Sequence, residues 1–143
     1  MTFTNPTYCL VMKVSTTSDD ALKVLSKALL NDPDVVCIAG WRKLVMVGVV
    51  QVSSSRMFGF CFDEHDDWEA AAPRQAGTLD ALRRLHASMT DADPQRKSWV
   101  TCLLIIDADG RMHVDFEYDD PARWLVTPHN HAARIEQFRH LPS

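Results

Sequence analysis

Residues 98–124, SWVTCLLIIDADGRMHVDFEYDDPARW, decide the fold. Two apolar-rich runs flank Asp109-Gly110, and an Asp-Gly pair between such runs predicts a β-hairpin from about Lys97 to Tyr118. The second run alternates. Met112, Val114, Phe116 and Tyr118 fall on one face, and Arg111, His113, Asp115 and Glu117 on the other. One face of that strand can join a core, while the opposite face ends in carboxylates that Asp119 and Asp120 extend.

Working upstream, Ser18-Asp19-Asp20 reads as a helix start, with carboxylates near the positive end of the dipole. The helix continues through ALKVLSKALL, with Ala21, Leu22, Leu25, Ala28 and Leu29 as its apolar stripe, and Asn31-Asp32-Pro33 ends it. Three strands are expected next. Val35 to Ala39 is short, Leu44 to Val52 is a β-branched run broken by Gly48, and Arg56 to Phe62 carries Phe58, Phe60 and Phe62 at strand spacing. Turn residues at Gly40 and at Ser53-Ser54-Ser55 make an antiparallel meander the simplest arrangement. Trp41 falls in the first of these turns and reads as a cap on the core.

DEHDDWEAAAPRQAG then reads as a loop. A second helix begins near Thr78, with Leu79, Leu82, Leu85, His86 and Met89 at helical spacing, and ends around Ala92-Asp93-Pro94. Beyond the hairpin, Thr127 caps a last helix opened by Pro128 and running from His129 to about His140, with Ala132, Ile135 and Phe138 inward. Tyr8 to Val14 is a further short strand candidate, and residues 1–17 otherwise carry no firm element. The order helix, three-strand meander, helix, hairpin, helix predicts a single α+β domain over residues 1–143, with helices packed on a largely antiparallel sheet.

Bulk composition narrows the function. A hydrophobic fraction of 46% and a charged fraction of 24% are those of a globular chain and exclude general disorder. The net charge of -4 argues against a nucleic-acid or anionic-membrane binder. The cysteines, Cys9, Cys37, Cys61 and Cys102, lie in apolar runs without metal-finger spacing, so buried thiols in a reducing compartment are expected. With no basic leader and no apolar run long enough to span a membrane, a cytoplasmic protein is the default reading.

No catalytic constellation stands out. There is no GxSxG elbow, no phosphate-binding or dinucleotide glycine pattern, and no cysteine in a catalytic signature. His129 and His131 form an HxH pair, but residues two apart do not share a helical face, so surface histidines are the better reading. No cofactor or metal is expected. What remains is acid. Asp63, Glu64, Asp66, Asp67 and Glu69 crowd one loop around Trp68, and Asp115, Glu117, Asp119 and Asp120 precede Trp124. A lone charge run is usually a solvated face. Two acidic clusters with tryptophans on one side of a sheet would instead suit a basic partner, such as a nuclease that itself binds a polyanion.

The C-terminal half resembles the YezG-like family of immunity proteins, which includes the EsaG-type antitoxins. The resemblance rests on Trp99, Asp109, Gly110, Phe116, Tyr118, Asp119, Asp120, Trp124 and Pro128, and covers about residues 97 to 140. The segment before Asp19 departs from the family's opening helix. The resemblance implies an immunity role: binding and neutralising a bacterial toxin delivered between cells or encoded beside its antitoxin. Several such toxins are nucleases. It implies no catalytic residues. The expectation is therefore a non-enzymatic antitoxin acting by stoichiometric occlusion through the residues of the two acidic clusters, Trp68 and Trp124. The rival readings are a small-ligand or regulatory domain, homodimeric through a sheet edge, and an enzyme with a carboxylate or histidine site.

Overall fold

The computed structural model describes residues 16–36 and 38–142. The Tyr8 to Val14 strand candidate, Cys9 and Cys37 lie outside them. Helix α1 spans Thr16–Leu30; strands β1, β2 and β3 span Trp41–Val50, Ser55–Asp63 and Trp68–Ala71; helix α2 spans Ala76–Ala92; strands β4 and β5 span Thr101–Asp107 and Met112–Glu117; and helix α3 spans His131–Arg139. The five strands form one antiparallel sheet in the order β3-β2-β1-β4-β5. The chain is α+β, with helices packed on an antiparallel sheet in the expected order.

The sheet is covered on both faces. One face presents Leu44, Met46, Cys61, Cys102, Leu104, Ile106 and Val114 to Leu22, Leu25 and Leu29 of α1 and to Leu82 and Leu85 of α2. The other presents Val45, Val47, Val49, Phe60, Phe62, Leu103 and Ile105 to Ile135 and Phe138 of α3 and to Trp124. β1 lies at the centre and is buried on both sides, which is why it reads as a continuous apolar run rather than an alternation. β5 is an edge strand and keeps the alternation.

Gly48 does not break β1, which pairs through it with Met57 on one side and Cys102 on the other. α2 presses there: a Cβ on Gly48 would lie 2.9 Å from Leu82 Cδ1. Gly59 is more demanding, because a Cβ would sit 1.9 Å from the Val45 carbonyl oxygen.

Several local expectations are corrected. None of the described residues from Val35 to Ala39 is in a strand. The Val35 and Val36 N–H groups both donate to the Asp32 carbonyl at 3.0 Å in a turn, and Val35 plugs the helical-side core. The third meander strand is β3, inside the stretch expected to be a loop. Trp41 opens β1 instead of sitting in a turn, and packs partly buried against the core as a cap. Ser18 lies inside α1 and not at its start; fully buried, it shares a 2.7 Å hydrogen bond with Ser88 of α2. At the far end, the Asn130 N–H donates to Thr127 Oγ1 at 3.2 Å and the Thr127 N–H to Asn130 Oδ1 at 2.7 Å, a reciprocal cap around Pro128 that prepares α3. Ala132 faces solvent; Ile135 and Phe138 alone of the three expected residues point inward.

One charge is built into the sheet. Lys43 of β1 is fully buried on the α3 side, and its ammonium donates to the carbonyls of Phe138, Arg139 and Leu141 at 2.7, 2.7 and 2.8 Å. The first two carbonyls belong to the last turn of α3 and the third lies just past it, at the negative end of the helix dipole. Burial, then Arg42, bring the lysine pKa down to about 8, with Asp66 opposing. Replacing Lys43 with Met keeps the chain length but removes the ammonium donor from three carbonyls, of which that of Phe138 keeps the Leu141 N–H at 3.2 Å. The expected loss is on the order of 3 kcal/mol of stability, read by chemical denaturation. Gly59→Ala should also destabilise, by about 2 kcal/mol or more, because its obstacle is backbone.

Candidate functional site

The two acidic clusters are built differently and do not meet. The first is the β2–β3 loop. Asp63 closes it: its Oδ1 accepts the N–H groups of His65 at 2.8 Å and Asp67 at 3.0 Å, while its own N–H donates to the Asp67 carbonyl at 2.9 Å. Asp66 takes a left-handed conformation, φ 64°, which an Asp tolerates better than most residues. Its carboxylate accepts from Arg42 Nη2, and its carbonyl accepts from Arg139 Nε at 3.1 Å. The loop is thereby tied to β1 and to the end of α3.

Residues 64–69 all face solvent; with Asp66 tied to Arg42, the acids left outward are Glu64, Asp67 and Glu69, beside Trp68. Glu64 has only the neighbouring His65 within ion-pair range, at 3.6 Å, and Asp67 has no cation against it among the described residues. Trp68 is 38% exposed and is steadied edge-on by Phe60 at 5.4 Å and His131 at 5.6 Å between ring centroids. The result is a fixed acidic tip with an aromatic surface beside it.

The second cluster spends its charge internally. Arg123 reaches Glu117 Oε1 at 3.0 Å and Asp115 Oδ2 at 3.6 Å, and its guanidinium lies 4.6 Å from the Trp124 ring centroid. Glu117 Oε2 accepts the N–H groups of Asp119 and Asp120 at 3.0 and 3.1 Å, and Asp120 Oδ1 accepts that of Ala122 at 3.0 Å. Trp124 is 4% exposed and belongs to the core. Asp115 and Glu117 are thus held within a corner built around Arg123, with Trp124 in the core behind it; Asp119 and Asp120 are exposed beside it.

Nor do the clusters share a side of the sheet edge. β3 and β5 are opposite edges, about 19 Å apart by strand spacing alone. Their registers also place Asp63 and Glu117 at opposite strand ends, Asp63 pairing with Trp41 and Glu117 with Thr101, which itself faces Val49. Sequence reading grouped them by composition. Their separation follows from strand order, which composition does not encode.

Other chemistry is sparse. Among the described residues no three His, Cys, Asp or Glu side chains come together to hold a metal ion. Cys61 and Cys102 are buried thiols, and burial pushes the Cys102 thiol up to about 12, with a Gly48 backbone contact opposing, so it stays protonated. No described helix is long and apolar enough to cross a membrane. Compared with known proteins, the chain matches no family model and no curated protein.

The β5 corner gives a pH signature. Hydrogen bonds from the Asp119 and Asp120 N–H groups, then Arg123, hold the Glu117 carboxyl below its usual 4.5. The folded state thus binds fewer protons than the unfolded chain in that range. The stability Glu117 contributes is fully present above pH 4.5 and is lost as pH falls through its folded value. Denaturation curves between about pH 5 and pH 3 should show the wild type losing more stability than Glu117→Gln.

Proposed function

We propose that this protein is an antitoxin that binds and neutralises a basic bacterial toxin by stoichiometric occlusion, with the β2–β3 loop as its main contact. The observation that carries this reading is the acidic tip. Glu64 and Asp67 stand outward without a strong internal counter-charge, next to a half-exposed tryptophan, on a loop anchored by Asp63, Arg42 and Arg139. Such charge steers a basic partner and suppresses others, and a pre-ordered aromatic beside it supplies contact energy at low entropic cost. The resemblance of residues 97–140 to YezG-like immunity proteins points the same way. A nuclease fits the partner's chemistry, because its polyanionic substrate demands a basic surface. Occlusion needs no chemistry from the antitoxin, and the reading assigns it no catalytic role.

The contact set is narrower than the sequence reading implied. Glu64, Asp67, Trp68 and Glu69 form it, with Asp63 and Asp66 holding the loop; Asp119 and Asp120 belong to a separate corner.

The test is co-expression with the neighbouring gene product, followed by purification of a one-to-one complex. In such a complex, Glu64→Lys with Asp67→Lys should weaken binding at least tenfold at low salt and less at high salt. Trp68→Ala should cost on the order of 2 kcal/mol of binding, as a truncated aromatic anchor does. No complex with a confirmed, expressed toxin, or a complex indifferent to both variants, would falsify the reading.

A further inference from the structure

At the end of β1 remote from the acidic tip, an open groove of about 720 Å³ runs between α2 and the β1–β2 turn. Val50, Val52 and Val100 give it apolar walls, and Arg83, His86 and Trp99 stand among them. Apolar lining with a few placed polar groups is the pattern of a small-molecule site. Its charge is already met. Arg83 is the one arginine or lysine among the described lining residues, and its Nη1 donates to Asp80 Oδ1 at 2.9 Å. The groove therefore does not select an ion.

What it leaves open is one donor and one acceptor. Trp99 is 1% exposed, and its indole N–H has no acceptor among the described residues. The ring is held edge-on by His86 at 4.8 Å and lies tilted against Phe116 at 5.5 Å between centroids, so the N–H has a fixed place. Burying that donor unpaired is costly, and a phenylalanine would supply the same apolar bulk without the cost. His86 Nε2 lies 2.9 Å from the Trp99 carbonyl oxygen, which can only accept. Nε2 therefore carries a proton, and in the neutral ring Nδ1 is an acceptor. Ser98, by contrast, is taken up by the Thr90 hydroxyl at 2.7 Å.

We propose that this groove binds a small neutral carboxamide on an apolar body, its carbonyl oxygen accepting from the Trp99 indole N–H and its amide N–H donating to His86 Nδ1. Each half of the amide then meets a group of opposite character, and the body lies on Val50, Val52 and Val100. A carboxylate of the same shape has no hydrogen for Nδ1 and would give up its hydration beside a bare lone pair. The groove and the β2–β3 loop stand at opposite ends of β1, since Trp41 pairs with Asp63 and Val50 with Ser55, so the site is independent of the antitoxin reading.

The experiment is a titration of the full chain with phenylacetamide, read by NMR of the indole and backbone N–H groups, with phenylacetate in parallel. A saturable downfield shift of the Trp99 indole signal is expected, with backbone shifts gathered at residues 50–53, 86 and 98–100. Trp99→Phe keeps an aromatic ring but removes the donor, and should weaken binding at least about tenfold. Val52→Asp, at an exposed turn position, removes apolar contact without touching the core and should also weaken it. An unmoved Trp99 indole signal, shifts that do not saturate, an affinity unchanged in Trp99→Phe or in Val52→Asp, or phenylacetate binding as tightly as the amide would each overturn the proposal. None of these results bears on toxin binding, which is read in a separate complex.

Discussion

A buried ammonium joins the last element of the chain to the middle of the sheet. β1 is covered on both faces, and burying a charge there is costly unless every donor is used. Lys43 uses its donors on two carbonyls in the last turn of α3 and on that of Leu141 just beyond it, where a helix end leaves acceptors short of donors. Two costs cancel at one contact. The consequence reaches further than the helix: with α3 seated, Val45, Val47, Phe60 and Phe62 are shielded, Arg139 reaches the β2–β3 loop, and His131 reaches Trp68. The pinned helix braces the acidic tip from behind through Arg139 and His131.

Both hairpins on the Lys43 side of the sheet are closed by the same local device. Asp63 and Asp107 each accept, through Oδ1, the N–H groups two and four residues ahead, and each donates its own N–H to the carbonyl four ahead. In each, the residue three ahead is left-handed: Asp66 at φ 64° and Gly110 at φ 90°. One turn carries glycine; the other carries aspartate and bears the acidic tip. The same backbone solution therefore closes both turns with different residues in the left-handed position.

That parallel explains what could be read in advance. DADGR announced the β4–β5 hairpin, because glycine in the left-handed position is a strong signal. DEHDD makes the same turn with aspartate in that position, and its dense charge resembles a solvated loop, so β3 behind it went unseen. Val35 to Ala39 misled in the opposite direction: β-branched residues in a short apolar run suit a strand, yet Val35, Val36 and Ile38 pack over the helical-side core, and the N–H groups of Val35 and Val36 are satisfied in a turn at Asp32. The acidic residues themselves were legible by composition, but not their fate. Nothing along the chain marks Glu117 as held by Arg123 and leaves Asp67 without a cation.

The sequence by itself determined the class of the protein and its element order, because hydrophobic periodicity and turn chemistry are local and each element displays its own. It also displayed the acidic residues and tryptophans themselves. Only the tertiary structure decided which acids are met by an internal cation and that Trp124 is core while Trp68 is surface. Those outcomes depend on strand order and on contacts between residues far apart in the chain. A charge is available for binding only if no distant side chain has already neutralised it, and that is a property of the packed molecule.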